Sequence, residues 1–292
     1  MRRHGASTAV LALTLAGCFA PERPPSTGRI ERFELQAQAV EETYHLFVRL
    51  PPGYDSAPDR RFPLVVQLDA NLPLFEEFEV TSGFASRLER EGEIPPTIVV
   101  GIGYAPDQQS QLARFRDLAL PMENAEFKKL WAQSVPDGAS PRFYQFLRDE
   151  LLPHLERTYR LTGPEGRALF GHSLGGLFVV YALSRHSDAA PLFTGYVAAS
   201  PSLFWDGGQI YPRWEQFHDP SQPLVLFTTA GQLEGPEMVV YFDDFTTRVR
   251  AAGFTQLTFE SRKYQTDHVG SAAPSFRDGL SFLFAHGLQG EP

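Results

Sequence analysis

The sequence predicts an α/β fold: one mostly parallel, doubly wound sheet with an antiparallel N-terminal edge. Three observations predict it. Short apolar runs alternate with longer segments of helical period, the order that builds a parallel sheet with helices on both faces. The first two strand patterns, Ile30 to Val40 and Thr43 to Leu50, follow each other with no helix between them, so they pair antiparallel at an edge. In Arg167 to Arg185, RALFGHSLGGLFVVYALSR, a short apolar run turns abruptly into a longer apolar segment without proline.

With 292 residues, 42% hydrophobic and 21% charged, the chain can bury a sizeable core as a soluble globular protein. A formal net charge of −9 excludes the basic footprint of a nucleic-acid binder or a polybasic membrane surface. The 24 phenylalanines suit a core, or a pocket for aromatic or acyl groups.

Residues 1–17 stand outside the fold. Arg2 and Arg3 precede an apolar run from Ala9 to Leu15, too short to span a bilayer, which is the build of a secretory signal. The run ends in Leu15-Ala16-Gly17-Cys18, which resembles the lipobox of bacterial lipoproteins, and Cys18 is the only cysteine. The expectation is a lipid on Cys18, a membrane reached through that lipid, and a proline-rich tether over residues 18–28. Phe19 after the cysteine fits outer-membrane sorting if the cell is Gram-negative. With one cysteine no intrachain disulfide forms, so packing alone stabilises the domain, expected over residues 29–290.

After the edge strands comes a turn at Pro51-Pro52-Gly53-Tyr54 and a central strand from Phe62 to Leu68, ending at Asp69-Ala70-Asn71. A helix is expected from about Phe75 to Arg90 and a buried strand from Thr97 to Gly103. Ala105 to Ser140 has poor periodicity and contains Pro106, Pro121 and Pro136, so it reads as a loop region beside or over the active site. Arg142 to Tyr159 reads as a helix kinked by Pro153. The remaining expectations are strands at Gly195 to Ala199, Leu224 to Thr229 and Thr255 to Tyr264, with helices at Glu237 to Ala252 and Ala273 to His286. This succession is the α/β-hydrolase plan.

Within it, Gly171-His172-Ser173-Leu174-Gly175 matches the nucleophile-elbow pattern G-x-S-x-G. A strand turning sharply into a helix strains its middle residue and crowds its neighbours. Gly171 and Gly175 leave room for that approach, and Gly176 lets the helix pack on the sheet. The Ser173 hydroxyl then stands at a helix N-terminus, which favours developing negative charge. A serine nucleophile needs a base, and the base an orienting acid, in the chain order Ser, Asp or Glu, His. His268, in the loop between the last strand and last helix, fits the base. His172 adjoins the nucleophile and cannot easily turn back to it, and His218 precedes the acid-bearing strand. Glu234, after the strand at Leu224 to Thr229, is the leading acid; Asp243, Asp244 and Asp267 are its rivals, and a Ser–His dyad stays open. The oxyanion hole needs two backbone donors: Leu174 N–H, and Asn71 N–H with Ala70 as fallback.

The segments RLPPGYD, VVQLDAN, PPTIVVGIGY, RDLALP, ELLPHLERTYR, ALFGHSLGGLFVVYAL, AASPSLFWD, TTAGQLE and TDHVGS together resemble the putative-esterase family of α/β-hydrolases. That family includes siderophore esterases of the IroE and Fes kind and, more distantly, feruloyl esterases, S-formylglutathione hydrolase and mycolyltransferases. The resemblance covers nearly the whole mature chain and supports Ser173 and His268 directly, Glu234 less firmly. Asp69-Ala70 departs from the Asp-Gly of many relatives. Arg114, Arg116 and Asp117 fall where the family tends to carry charge, as pocket residues or as ion-paired surface. The resemblance implies a small-molecule ester substrate. Siderophore-type lactones are favoured through Arg114, Arg116 and Arg142, while aromatic or acetyl esters of carbohydrates would suit Phe204-Trp205. The competing class is an inactive binding lipoprotein that keeps the fold. No metal or cofactor motif is present, and oligomeric state is left open.

Overall fold

Alternating side chains make the N-terminal edge. In the second strand Tyr44, Leu46, Val48 and Leu50 point one way and are all buried, which fixes its register against the first. The computed structural model describes residues 28–71, 78–105, 107–187 and 191–290. The strands are β1 (Arg29–Ala37), β2 (Glu42–Leu50), β3 (Leu64–Gln67), β4 (Ile98–Gly103), β5 (Arg167–His172), β6 (Gly195–Ala199), β7 (Leu224–Gly231) and β8 (Leu257–Tyr264). They form one sheet in the order β1-β2-β4-β3-β5-β6-β7-β8. β2 is antiparallel to both β1 and β4, and every other pairing is parallel. The expected fold class is the one observed. Cys18, the signal segment and most of the tether lie outside the described residues.

The helices are α1 (Phe78–Glu91), α2 (Gln108–Leu118), α3 (Ala125–Trp131), α4 (Ser140–Phe146), α5 (Leu152–Thr158), α6 (Leu174–Ser184), α7 (Ile210–Glu215), α8 (Pro236–Ala252) and α9 (Ala272–Ala285). Because the central strands are covered on both faces, their alternate side chains feed two cores. Leu64, Val66, Leu224 and Leu226 pack with Phe143, Phe178 and Phe245 on one side. Val65, Val225 and Phe227 pack with Phe78 of α1 and Phe276 and Leu280 of α9 on the other. The phenylalanine excess is thus largely core.

Three stretches differ from expectation. The Ala105 to Ser140 segment, read as loop, contains α2 and α3. Helix α2 turns Arg114 and Asp117 inward, 8% and 0% exposed, so the polar residues hide its helical period. In α3 no side chain is buried; the helix is started by the Asn124 side chain, which accepts from the N–H groups of Glu126 and Phe127. The short helix α7 also carries too few apolar positions to show a period. The expected kink at Pro153 is a wide π-turn over Leu147–Leu151, in which Leu152 N–H donates to Leu147 O. Proline has no N–H and crowds the carbonyl four residues back, so the preceding turn widens.

Strand order reverses direction about β3 and β5. The crevice beyond the carboxyl ends of strands at such a switch is where open α/β sheets bind ligands. The loop after β3 and the elbow after β5 therefore meet at that crevice.

Candidate active site

The elbow is built as its glycines require. A Cβ on Gly171 would lie 2.3 Å from Gly175 O, and one on Gly176 2.7 Å from Ala199 O. Neither position tolerates a side chain. Gly175 is less constrained, since its Cβ would meet Asp69 Oδ2 at 3.4 Å. Ser173 itself has φ 61° and ψ −118°, a costly conformation for a serine that surrounding bonds must impose. Its N–H donates to Ala199 O at 3.0 Å, and its carbonyl accepts from Leu177 N–H at 3.0 Å and Ser202 N–H at 3.1 Å. Its Oγ lies 3.4 Å from Ser202 Oγ. Leu174 begins α6 directly after it, where a backbone N–H has no carbonyl within the helix to meet.

The loop after β3 is strapped to its neighbours. Asp69, at φ 55°, takes the left-handed position of the turn, so Ala70 replaces glycine there without strain. The Asp69 carboxylate receives the Arg114 guanidinium in a fork, Nε at 3.1 Å and Nη2 at 2.8 Å. Arg114 is thus a buried ion-pair residue, held away from the pocket. Arg116 pairs with Asp117, which also accepts from Tyr44 OH at 2.7 Å. Ala70 N–H donates to Ile102 O at 3.0 Å, which removes it as an oxyanion donor. Asn71 fixes its side chain on Tyr104, accepting from its N–H at 2.9 Å and donating to its carbonyl at 2.6 Å. Of the two residues, only Asn71 keeps a backbone N–H that the sheet does not use.

His268 and Glu234 are brought together by the ends of β7 and β8. Gly231 permits the approach: a Cβ there would meet Thr266 O at 2.5 Å and Asp267 O at 2.6 Å. Leu233 N–H donates to Thr266 O at 3.0 Å. His268 Nδ1 then faces Glu234 Oε2 at 3.4 Å, with the glutamate side chain fully buried and the imidazole one-third exposed. Contacts of this kind are commonly long before substrate binds. Burial alone would raise the Glu234 pKa. The bonds from His268, Ser200 and Gly231 N–H outweigh it and hold the carboxyl below the usual range, so it is ionised. The rival carboxylates point elsewhere. Asp267 is exposed and accepts from Gly270 N–H at 2.9 Å, Asp243 binds Lys263, and Asp244 binds Arg248.

Sequence reasoning missed a hydroxyl chain behind this pair. Ser200, at φ 40°, donates to Glu234 Oε1 at 2.5 Å. Ser271 Oγ lies 2.7 Å from both Ser200 Oγ and the His268 carbonyl. His172 closes the bracket: since a carbonyl can only accept, its Nε2–H donates to His268 O at 2.8 Å. The one available signal was position, with serines at the end of β6 and three residues after His268.

Burial, with the His268 ring centroid 4.6 Å away, lowers the His172 pKa to about 3 from 6.5. Between those values the unfolded chain holds the proton and the folded one does not. Stability must therefore fall as pH drops below about 6.5, by up to ~1.4 kcal/mol per pH unit from this group. His172→Gln keeps a donor and removes the titration. Its melting temperature should fall less than that of wild type between pH 7 and pH 5; equal falls would show that His172 is not the source.

Ser173, Ser202 and His268 line one open cleft of about 450 Å³ together with Phe204, Pro236, Met238 and Glu237. Trp205 faces inward, 3% exposed, donating Nε1–H to Leu120 O at 3.0 Å. Arg142 is exposed on α4 and is not among the residues lining the cleft.

Comparisons with known proteins agree with this architecture. The family described as "Putative esterase" matches residues 37–227. The ferri-bacillibactin esterase BesA of Bacillus subtilis is 32% identical over 198 residues, which is 66% of this chain and 66% of that protein. The match thus spans just under two thirds of that relative. The siderophore enterobactin esterase of Emericella nidulans is 30% identical over 222 residues, covering 64% of this chain and 71% of that one. Among solved structures, the BES protein from Bacillus cereus superposes with a TM-score of 0.75 at 23% identity, over 91% of this chain and 99% of that one. With the family model matching residues 37–227 and the fold shared over 91% of the chain with a solved relative, the chain belongs to the putative-esterase family of α/β-hydrolases.

Proposed function

We propose that the chain is an exported, lipid-anchored serine hydrolase that opens siderophore-type lactones through an acyl-Ser173 intermediate. The observation that carries the chemistry is the strained Ser173 opening on the same cleft as a histidine backed by a buried, ionised glutamate. His268 Nδ1 is turned to Glu234, which leaves Nε2 to take the Ser173 proton. Ser173 Oγ attacks the ester carbonyl, and the N–H groups of Leu174 and Asn71 receive the oxyanion. His268 returns the proton to the departing alkoxide. Water, deprotonated by the same imidazole, then releases the acid and frees Ser173.

The substrate class rests on the relatives, two of which are named for siderophore esters. A comparison of an enterobactin-like trilactone, methyl ferulate and p-nitrophenyl acetate tests it. The trilactone should be turned over with the highest kcat/KM. Efficient acetate turnover with the trilactone untouched would point instead to a small-acyl esterase.

Export rests on residues 1–17 and the LAGC sequence, with residues 18–28 as tether and 29–290 as the catalytic domain. Expressed at full length in a bacterium, the protein should sediment with membranes and Cys18→Ala should be released. Unchanged membrane association of the variant would contradict lipidation.

A further inference from the structure

The chemistry above is neutral as to the charge of the ester, but the cleft is not. None of its lining residues among those described is Arg or Lys, and one is Glu237, exposed at the first turn of α8. Among the described residues no cation pairs with this carboxylate. Lys263, Arg248 and Arg114 are each engaged by other carboxylates, Lys263 by Asp243, Arg248 by Asp244 and Glu215, and Arg114 by Asp69.

The pattern extends along the described part of the catalytic edge. Among the described residues, the segments following β3, β6, β7 and β8 read LDAN, SPSLFWDGGQ, QLEG and QTDHVGS. These connections, at the carboxyl ends of the parallel strands, are the ones that build a ligand site in this class of sheet. They contain no lysine or arginine and several carboxylates. A cleft lined by one sign of charge concentrates ligands of the opposite sign and repels its own.

We infer that the cleft selects esters by charge: it takes substrates without net negative charge and rejects polyanions, with Glu237 setting the preference. This rests on the ester-hydrolase reading and sharpens its substrate class. Iron(III) held by three doubly deprotonated catecholates is a triply negative complex. The same lactone without metal keeps its catechol protons at neutral pH and is uncharged. The metal-free lactone is therefore the better substrate for this chain.

The test uses the full domain and three p-nitrophenyl esters of equal acyl length, ending in a methyl, a carboxylate or a trimethylammonium group. The metal-free trilactone and its iron(III) complex form a second set. Wild type should favour the neutral and cationic esters over the anionic one by about tenfold in kcat/KM, a gap that narrows in high salt. Glu237→Lys should reverse the order of anionic and cationic esters, and Glu237→Gln should bring them together. The readout is a ratio within each variant, so a general loss of activity does not mimic it. Equal ratios in all three proteins, or faster turnover of the iron(III) complex by wild type, would overturn the charge preference and leave the esterase standing. No turnover of any ester would remove both.

Discussion

Ser173→Ala and His268→Ala should each lower kcat/KM for a p-nitrophenyl ester by about 10⁴-fold or more, with no fall in melting temperature. The two act as a unit, so the double variant should be no worse than either single one. Ser173→Ala should if anything be more stable, because alanine takes away a polar atom and not a packing contact. Steady-state kinetics and thermal melts check both expectations. Additive losses in the double variant would mean that Ser173 and His268 do not share a proton.

Glu234→Gln should also cost heavily, by about 10³–10⁴-fold in kcat, for a reason visible in its contacts. The amide can still accept from Ser200 and Gly231 N–H through its oxygen. It then presents an NH₂ group, not a lone pair, to His268 Nδ1 and selects the wrong imidazole tautomer. Asp267→Asn should cost little, because that carboxylate is exposed and caps Gly270. A rate profile in which Asp267→Asn is far worse than Glu234→Gln would reassign the acid.

What could be read from the sequence depended on how locally each feature is encoded. The elbow was legible because strand, glycines and helix are contiguous, and a Cβ on Gly171 would clash with Gly175 O whatever the rest of the chain does. The β-strands were legible because central strands are buried on both faces and read as apolar runs. Helix α2 was not. Its inward face carries Arg114 and Asp117, which are stabilised by Asp69, Tyr44 and Arg116, partners that periodicity cannot supply. Glu234 stood out by its place after β7, whereas Ser200, Ser271 and His172 act through contacts between residues 34 to 99 positions apart. Hydroxyl chains of that kind leave no pattern in a single sequence. Ala70 shows the reverse case: it departs from the Asp-Gly of many relatives, yet Asp69 already holds the left-handed position.

The central claim is that Ser173 becomes acylated, and intact-mass measurement tests it most directly. The protein is mixed with a slowly deacylating aryl ester, quenched in acid and weighed, then digested to locate the adduct. A single acyl group on Ser173, absent from Ser173→Ala and accumulating in a burst with the released phenol, is the predicted result. Turnover without any adduct, or the same adduct in Ser173→Ala, would contradict it.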